Sequence, residues 1–145
     1  MTVNLIKLCV GADSVEDLSG WIDQRLAAKR RAGTVAEQVH VTRMTPKRQD
    51  ELLDGGSLYW VIKGIIQCRQ RLLELRPVTG DDGISRCGFV LEPKVVLVEP
   101  RPRGPFQGWR YLDSRDAPPD LGASTSGIAE MPTDMRRELV EMGLL

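Results

Sequence analysis

Residues 3–10, VNLIKLCV, place Val3, Leu5, Lys7 and Cys9 on one side of an extended chain and Asn4, Ile6, Leu8 and Val10 on the other. A first strand is expected, ended by Gly11 and Asp13. The period then lengthens. Val15, Leu18, Trp21, Ile22, Arg25 and Leu26 recur at helical spacing, with Ser14 as N-cap and Asp17 three residues on, an approximate capping box. Trp21 is expected to anchor the core, and Lys29, Arg30 and Arg31 fall in the last turn, where cations favour the helix dipole. Residues 37–43, EQVHVTR, alternate again and predict a strand with Val39 and Val41 on one face and His40 and Thr42 on the other. Thr45 and Pro46 then suit the start of a short helix, PKRQDELLD, closed by Asp54, Gly55 and Gly56.

The stretch SLYWVIKGIIQCRQRLLEL, residues 57–75, satisfies two periods at once. As a helix it aligns Leu58, Val61, Ile62, Ile65, Leu72 and Leu75. As a strand it separates Leu58, Trp60, Ile62, Gly64, Ile66 and Cys68 from Tyr59, Val61, Lys63, Ile65, Gln67, Arg69 and Arg71. Its β-branched and aromatic residues favour the strand, with Gly64 at a bulge and the second face growing basic. Residues 67–75 fit either strand or helix. Gly80-Asp81-Asp82-Gly83 is a turn that joins residues 66–78 to a strand near 84–91 as a hairpin. A short strand follows at 94–99, and Pro100, Pro102 and Pro105 then break regularity. Residues 101–132 read as irregular, with a loop or linker at 115–131, before a C-terminal helix over 132–145 with Thr133 as N-cap. The expectation is a single α+β domain over 1–114. It has a mixed or antiparallel sheet, with a partial barrel as one form, and the N-terminal helix packed on it.

Composition changes this picture little. At 145 residues, 41% hydrophobic and 28% charged, the chain is of ordinary globular make-up. No apolar run nears the roughly 20 residues of a membrane span. With no leader read at the N-terminus, a cytoplasmic protein without membrane attachment is expected. Cys9, Cys68 and Cys87 are isolated and are expected to be reduced, and neither a metal site nor a cofactor motif is read. Charge is more informative. Net charge is zero, yet residues 25–110 hold 16 basic and 9 acidic side chains, and both ends are acidic. That asymmetry suits an anionic partner; acidic ends neutralising a basic middle within one domain is the plainer explanation, since most charges are solvated surface.

Two sets of residues could carry chemistry. Arg43, Lys47, Arg48, Lys63, Arg69 and Arg71 could contact phosphates, with Trp109 and Tyr111 stacking on bases and Arg110 assisting. Phe106 and Trp109 could instead pin a proline-rich loop to the sheet. The single histidine, His40, is the one residue suited to acid–base work. The first set implies a non-catalytic module for RNA, DNA or a nucleotide. The second implies an enzyme acting on a small anionic metabolite. The terminal helix would suit a protein-interaction module or a homo-oligomer. Whether the chain is an enzyme is left open at this level.

HVTRMTPKRQDELLDGGSLYWVIKG, GDDGISRC and PFQGWRYL, with the opening MTVNLIKLCVG, resemble the bacterial domain-of-unknown-function family 1489 over residues 1 to about 121. The resemblance implies a small cytoplasmic bacterial protein and brings no assigned activity. A short helix, glycine turn, hydrophobic strand and hairpin are also similar in order to PUA-like barrels such as ASCH and EVE domains. That likeness implies RNA or modified-base binding, although Ser57 stands where many such domains have Asp after the glycine.

Overall fold

The structure, a computed structural model, describes residues 2–121. The C-terminal helix expected over 132–145 and most of the 115–131 segment lie outside the described residues. The elements run β1 (Val3–Leu8), α1 (Val15–Arg31), β2 (Gln38–Thr42), α2 (Gln49–Leu53), β3 (Ser57–Ile62), β4 (Ile65–Thr79), β5 (Ser85–Leu91), β6 (Val96–Pro102) and β7 (Trp109–Asp113). The seven strands form one mixed sheet in the order β2-β5-β4-β3-β1-β7, with β6 also pairing β4. Only β1 and β3 run parallel. The fold is α+β as the periodicity implies, but the sheet does not close into a barrel.

Local chemistry explains the well-read elements. Ser14 Oγ accepts the Asp17 N–H at 3.1 Å, and the Asp17 carboxylate accepts from the Asp13 N–H at 3.0 Å, one residue before the usual capping-box donor. Helix α1 buries Leu18, Ile22 and Leu26, the 3.6-period stripe. Helix α2 starts later than expected, at Gln49. Pro46 is buried in the preceding loop, and no side chain caps the helix.

The stretch that opens at Ser57 is neither a helix nor one continuous strand. Lys63 and Gly64 both take positive φ, 52° and 75°, and form a two-residue hairpin turn of the I′ kind between β3 and β4. A single alternation from Leu58 to Arg71 therefore does not exist. The bulge expected at Gly64 lies at Gln67 instead: Trp60 pairs Cys68 while Val61 pairs Ile66. The extra residue reverses which face each later side chain occupies. Ile66 thus packs on one side of the sheet and Cys68 on the other. A second irregularity at Leu73 repeats the reversal before Leu75. Residues 67–75 are strand throughout.

Every residue of β3 is buried, so neither of its faces is the solvent-facing basic surface the alternation implied. Leu58, Trp60 and Ile62 meet Leu18, Ile22 and Leu26 of α1 in one core, with Val3, Leu5, Phe89 and Leu91. Tyr59 and Val61 face a second core with Ile6, Ile66, Val98 and Leu112. Gly56 sits where β1, α2 and β3 converge. A Cβ there would lie 2.3 Å from the Val3 carbonyl oxygen and 2.4 Å from that of Leu52. Only glycine allows the approach.

Two elements depart from the expected irregularity. Strand β6 runs on through Pro100 to Pro102, and β7 pairs antiparallel with β1, Val3 opposite Asp113 and Lys7 opposite Trp109. Both prolines lie at the end of an edge strand, where a missing N–H donor is tolerated. Residues 115–121 lie against the sheet: Asp120 bridges Val98, and the Glu99 N–H donates to the Pro119 carbonyl at 3.0 Å.

Candidate functional site

Of the residues expected to form one basic surface, Lys47, Arg48, Trp109 and Tyr111 come together, whereas Arg69 is tied to Asp120 and Arg110 lies against Phe106. Trp109 and Tyr111 share one face of β7, edge to face with ring centroids 5.0 Å apart. Their polar ends are engaged by the fold. The Trp109 indole N–H donates to the Met44 carbonyl at 2.9 Å, and Tyr111 Oη accepts the N–H groups of Lys47 and Arg48 at 2.9 and 3.2 Å. The pair pins the loop before α2, as an aromatic plug would. Arg110 alternates to the opposite face, where its guanidinium lies 5.8 Å from the Phe106 ring centroid. Arg48 stacks on Tyr111 but is clamped by Glu51 at 2.6 and 2.9 Å.

Arg69 is held by Asp120 at 2.7 and 2.6 Å and by Ser57 Oγ at 3.0 Å, half-buried. The same pairing holds the Asp120 carboxyl below the usual carboxylate range. Lys63 is exposed at the β3–β4 turn and Arg71 on β4. Arg43 and Lys47 are exposed beside α2 and, with Arg71, have no ionic partner among the described residues.

A different set of residues converges at the end of β1. As β1 ends, Lys7 to Val10 line one side of a cleft, and Gly11 turns the chain with φ 88° and Trp21 Cη2 packed beside it. Trp21 and Arg25, one helical turn apart, face the same space as Leu18 and Ile22. Strand β2, at one edge of the sheet, holds the His40 ring in a T-shaped contact with Trp60, 5.2 Å between centroids. These residues enclose a cleft of ≈ 130 Å3 lined also by Gln38 and Cys9.

Buried hydrogen bonds fix the cleft floor. The Trp60 indole N–H donates to Gln70 Oε1 at 2.9 Å. Gln70, wholly buried, donates to Gln38 Oε1 at 2.5 Å and to the Glu92 carbonyl at 3.0 Å. A buried polar network stiffens its surroundings when every member is satisfied. His40 is the exception: its Nε2 is buried and meets no protein partner.

Electrostatics in the cleft are one-sided. Lys7 and Arg25 line it, no carboxylate does, and neither cation has an ionic partner among the described residues. Burial, then the charges of Lys7 and Arg25, push the His40 imidazole down to about 4. The ring is thus neutral at pH 7 and cannot serve as the ready general acid that a lone histidine suggests. Burial lowers Lys7 from the ordinary lysine value and raises the Cys9 thiol to about 11. Trp21, expected to anchor the core, is half-buried and forms a wall of the cleft.

Sequence reasoning singled out His40 but missed Lys7, Arg25 and Gln38 as its companions. The signal available was Lys7 on the apolar side of the first strand, beside Cys9. Among the described residues no group of His, Cys, Asp and Glu is placed to hold a metal ion, and no helix is long and apolar enough to cross a membrane.

Family comparison agrees with the motif resemblance. The model of the family described as "Protein of unknown function (DUF1489)" matches residues 5–145, and the chain belongs to that family. No curated protein and no solved structure matches it, and the PUA-like likeness finds no confirmation.

Proposed function

We propose that the cleft between β1, α1 and β2 binds a small anionic metabolite, and that the protein works through that ligand. One observation carries the reading: two cations without ionic partners among the described residues line one aromatic-walled cleft that holds no carboxylate, beside the His40 ring whose buried Nε2 has no protein partner. Lys7 is partly buried, which strengthens its attraction to an anion, and the exposed Arg25 offers the planar fork that suits carboxylate or phosphate. The tryptophan walls supply the apolar contact typical of ligand sites. At ≈ 130 Å3 the space lies below the roughly 300–1,000 Å3 of sites for drug-sized molecules, which favours a compact ligand.

The test is a thermal-shift panel of small carboxylates and phosphate monoesters on the wild type and on Arg25→Ala. A ligand at 100 times its Kd stabilises the native state by about 2.7 kcal/mol, a readily measured rise in Tm. The expected result is a rise in the wild type that Arg25→Ala removes. No rise with any anion, or an equal rise in the variant, rejects the proposal.

A second reading keeps the nucleic-acid or nucleotide ligand on the Trp109–Tyr111 edge. It is favoured by the exposure of Arg43 and Lys47 beside that pair without ionic partners among the described residues. Single-strand binding there would weaken with salt by about 0.7 in log–log slope per phosphate contact. Lys47→Glu would flatten that slope, and no binding at low salt rejects this reading.

A further inference from the structure

We infer that Lys7 is a carbonyl-trapping amine, which would form a Schiff base with a small aldehyde or keto acid whose anionic group is held by Arg25. The inference rests on the anion-binding reading of the same cleft and names the substrate class. A lysine in a cleft has two ordinary uses: as a point charge on an anion, or as a nucleophile once it is uncharged. The surroundings of Lys7 suit the second.

Lys7 sits between Trp60 on β3 and Trp109 on β7, its registered neighbours, on the inward face of β1. No carboxylate lines the cleft to hold its ammonium form, and burial lowers its proton affinity. The other lysines are placed differently. Lys47, Lys63 and Lys94 are exposed, and Lys29 Nζ donates to the Glu37 carbonyl. The neighbouring nucleophile is suppressed: burial pushes the Cys9 thiol up to about 11, so little thiolate competes.

The step balances within the site. The uncharged ε-amine attacks the carbonyl carbon. A C–N bond forms, the carbonyl π pair moves to oxygen, and the now cationic nitrogen gives one proton to that oxygen through solvent, leaving a neutral carbinolamine. The hydroxyl takes a second proton from solvent and leaves as water while the nitrogen lone pair closes the C=N bond, and the remaining N–H proton returns to solvent, so both hydrogens of the water are accounted for by the amine. One water leaves and no oxidant or reductant is consumed. Arg25 keeps the anionic group at the rim, and the His40 ring lines the same cleft.

The full chain is treated with pyruvate or glyoxylate and sodium cyanoborohydride, then mapped by peptide mass spectrometry. Lactate and glycolate, the carbonyl-free counterparts, are run in thermal shift beside them. More reduced adduct at Lys7 than at the other four lysines together, lost in Lys7→Arg, supports the inference. Lys7→Arg keeps the cation, so retained stabilisation by lactate there separates nucleophile from charge. Stabilisation by all four compounds with no Lys7-selective adduct overturns the Schiff base and leaves anion binding standing. Neither stabilisation nor a selective adduct overturns both.

Discussion

The two sides of β3–β4 treat their cations differently. On one side Arg69 is locked by both oxygens of Asp120 and by Ser57. On the other, Lys7 and Arg25 line a cleft without a carboxylate, beneath an imidazole nitrogen that has no partner. Sequence makes these residues look alike, as scattered basic positions. Arg69 serves the fold because a carboxylate reaches it; Lys7 and Arg25 remain available because none does. A polar group left unsatisfied inside an otherwise satisfied core costs free energy and calls for a partner, which a bound ligand or an ordered water would supply.

The sharpest way to break the comparison is to remove the network that makes His40 an exception. Gln70→Ala would strand the Trp60 indole N–H and the Gln38 amide, each worth about 1–3 kcal/mol when left unsatisfied. A loss of roughly 3–5 kcal/mol in urea denaturation at pH 7 is expected. A loss below about 1 kcal/mol would mean that the floor of the cleft is no stiffer than its rim.

His40 itself gives the next largest effect, and its sign follows from its neutral folded form. The folded imidazole titrates at about 4, against an ordinary 6.5. Between those values the unfolded chain binds a proton that the native state refuses. Stability is therefore full above 6.5 and falls as pH drops towards 4, by at most about 3 kcal/mol from this group. His40→Phe should remove that part of the acid loss, read as the difference between the wild-type and variant denaturation midpoints at pH 7 and pH 4.5. Identical pH profiles would show that the ring is not held neutral.

Arg69→Ala should cost about 1–2 kcal/mol, allowing for solvent screening of a half-exposed pair, and leave the anion response of the cleft intact. A lost anion response in that variant would show that the two sides are not independent. The smallest effect is expected for Arg71→Gln and Lys47→Gln, exposed side chains whose replacement should stay within about 0.5 kcal/mol. A larger loss for either would place it with Arg69 among the structural cations.

Much of the fold was legible in the sequence. The first strand, helix α1 with Ser14 as cap, the β2 alternation and the Gly80–Gly83 turn all carry local signals: a period, a capping oxygen, a turn tetrad. What was misread depended on partners. The Lys63-Gly64 turn lacks the Asn or Asp that announces a type I′ hairpin, and β7 hid behind prolines and glycines because its pairing with β1 decides it. The candidate site fared likewise. His40 stands out for its chemistry, while the Trp109–Tyr111 cluster, which reads either as a stacking platform or as a pin on a loop, has its polar groups bonded to the Met44–Arg48 loop.

The sequence by itself determined the locally signalled elements, β1, α1, β2 and the Gly80–Gly83 turn, because periodicity, caps and turns act over a few residues, and its motifs determined the family. Tertiary structure alone decided which face of β4 each arginine occupies, since bulges at Gln67 and Leu73 reverse the alternation twice. It also decided which cations stay unpaired, because a carboxylate's reach is set by strands that meet from distant parts of the chain.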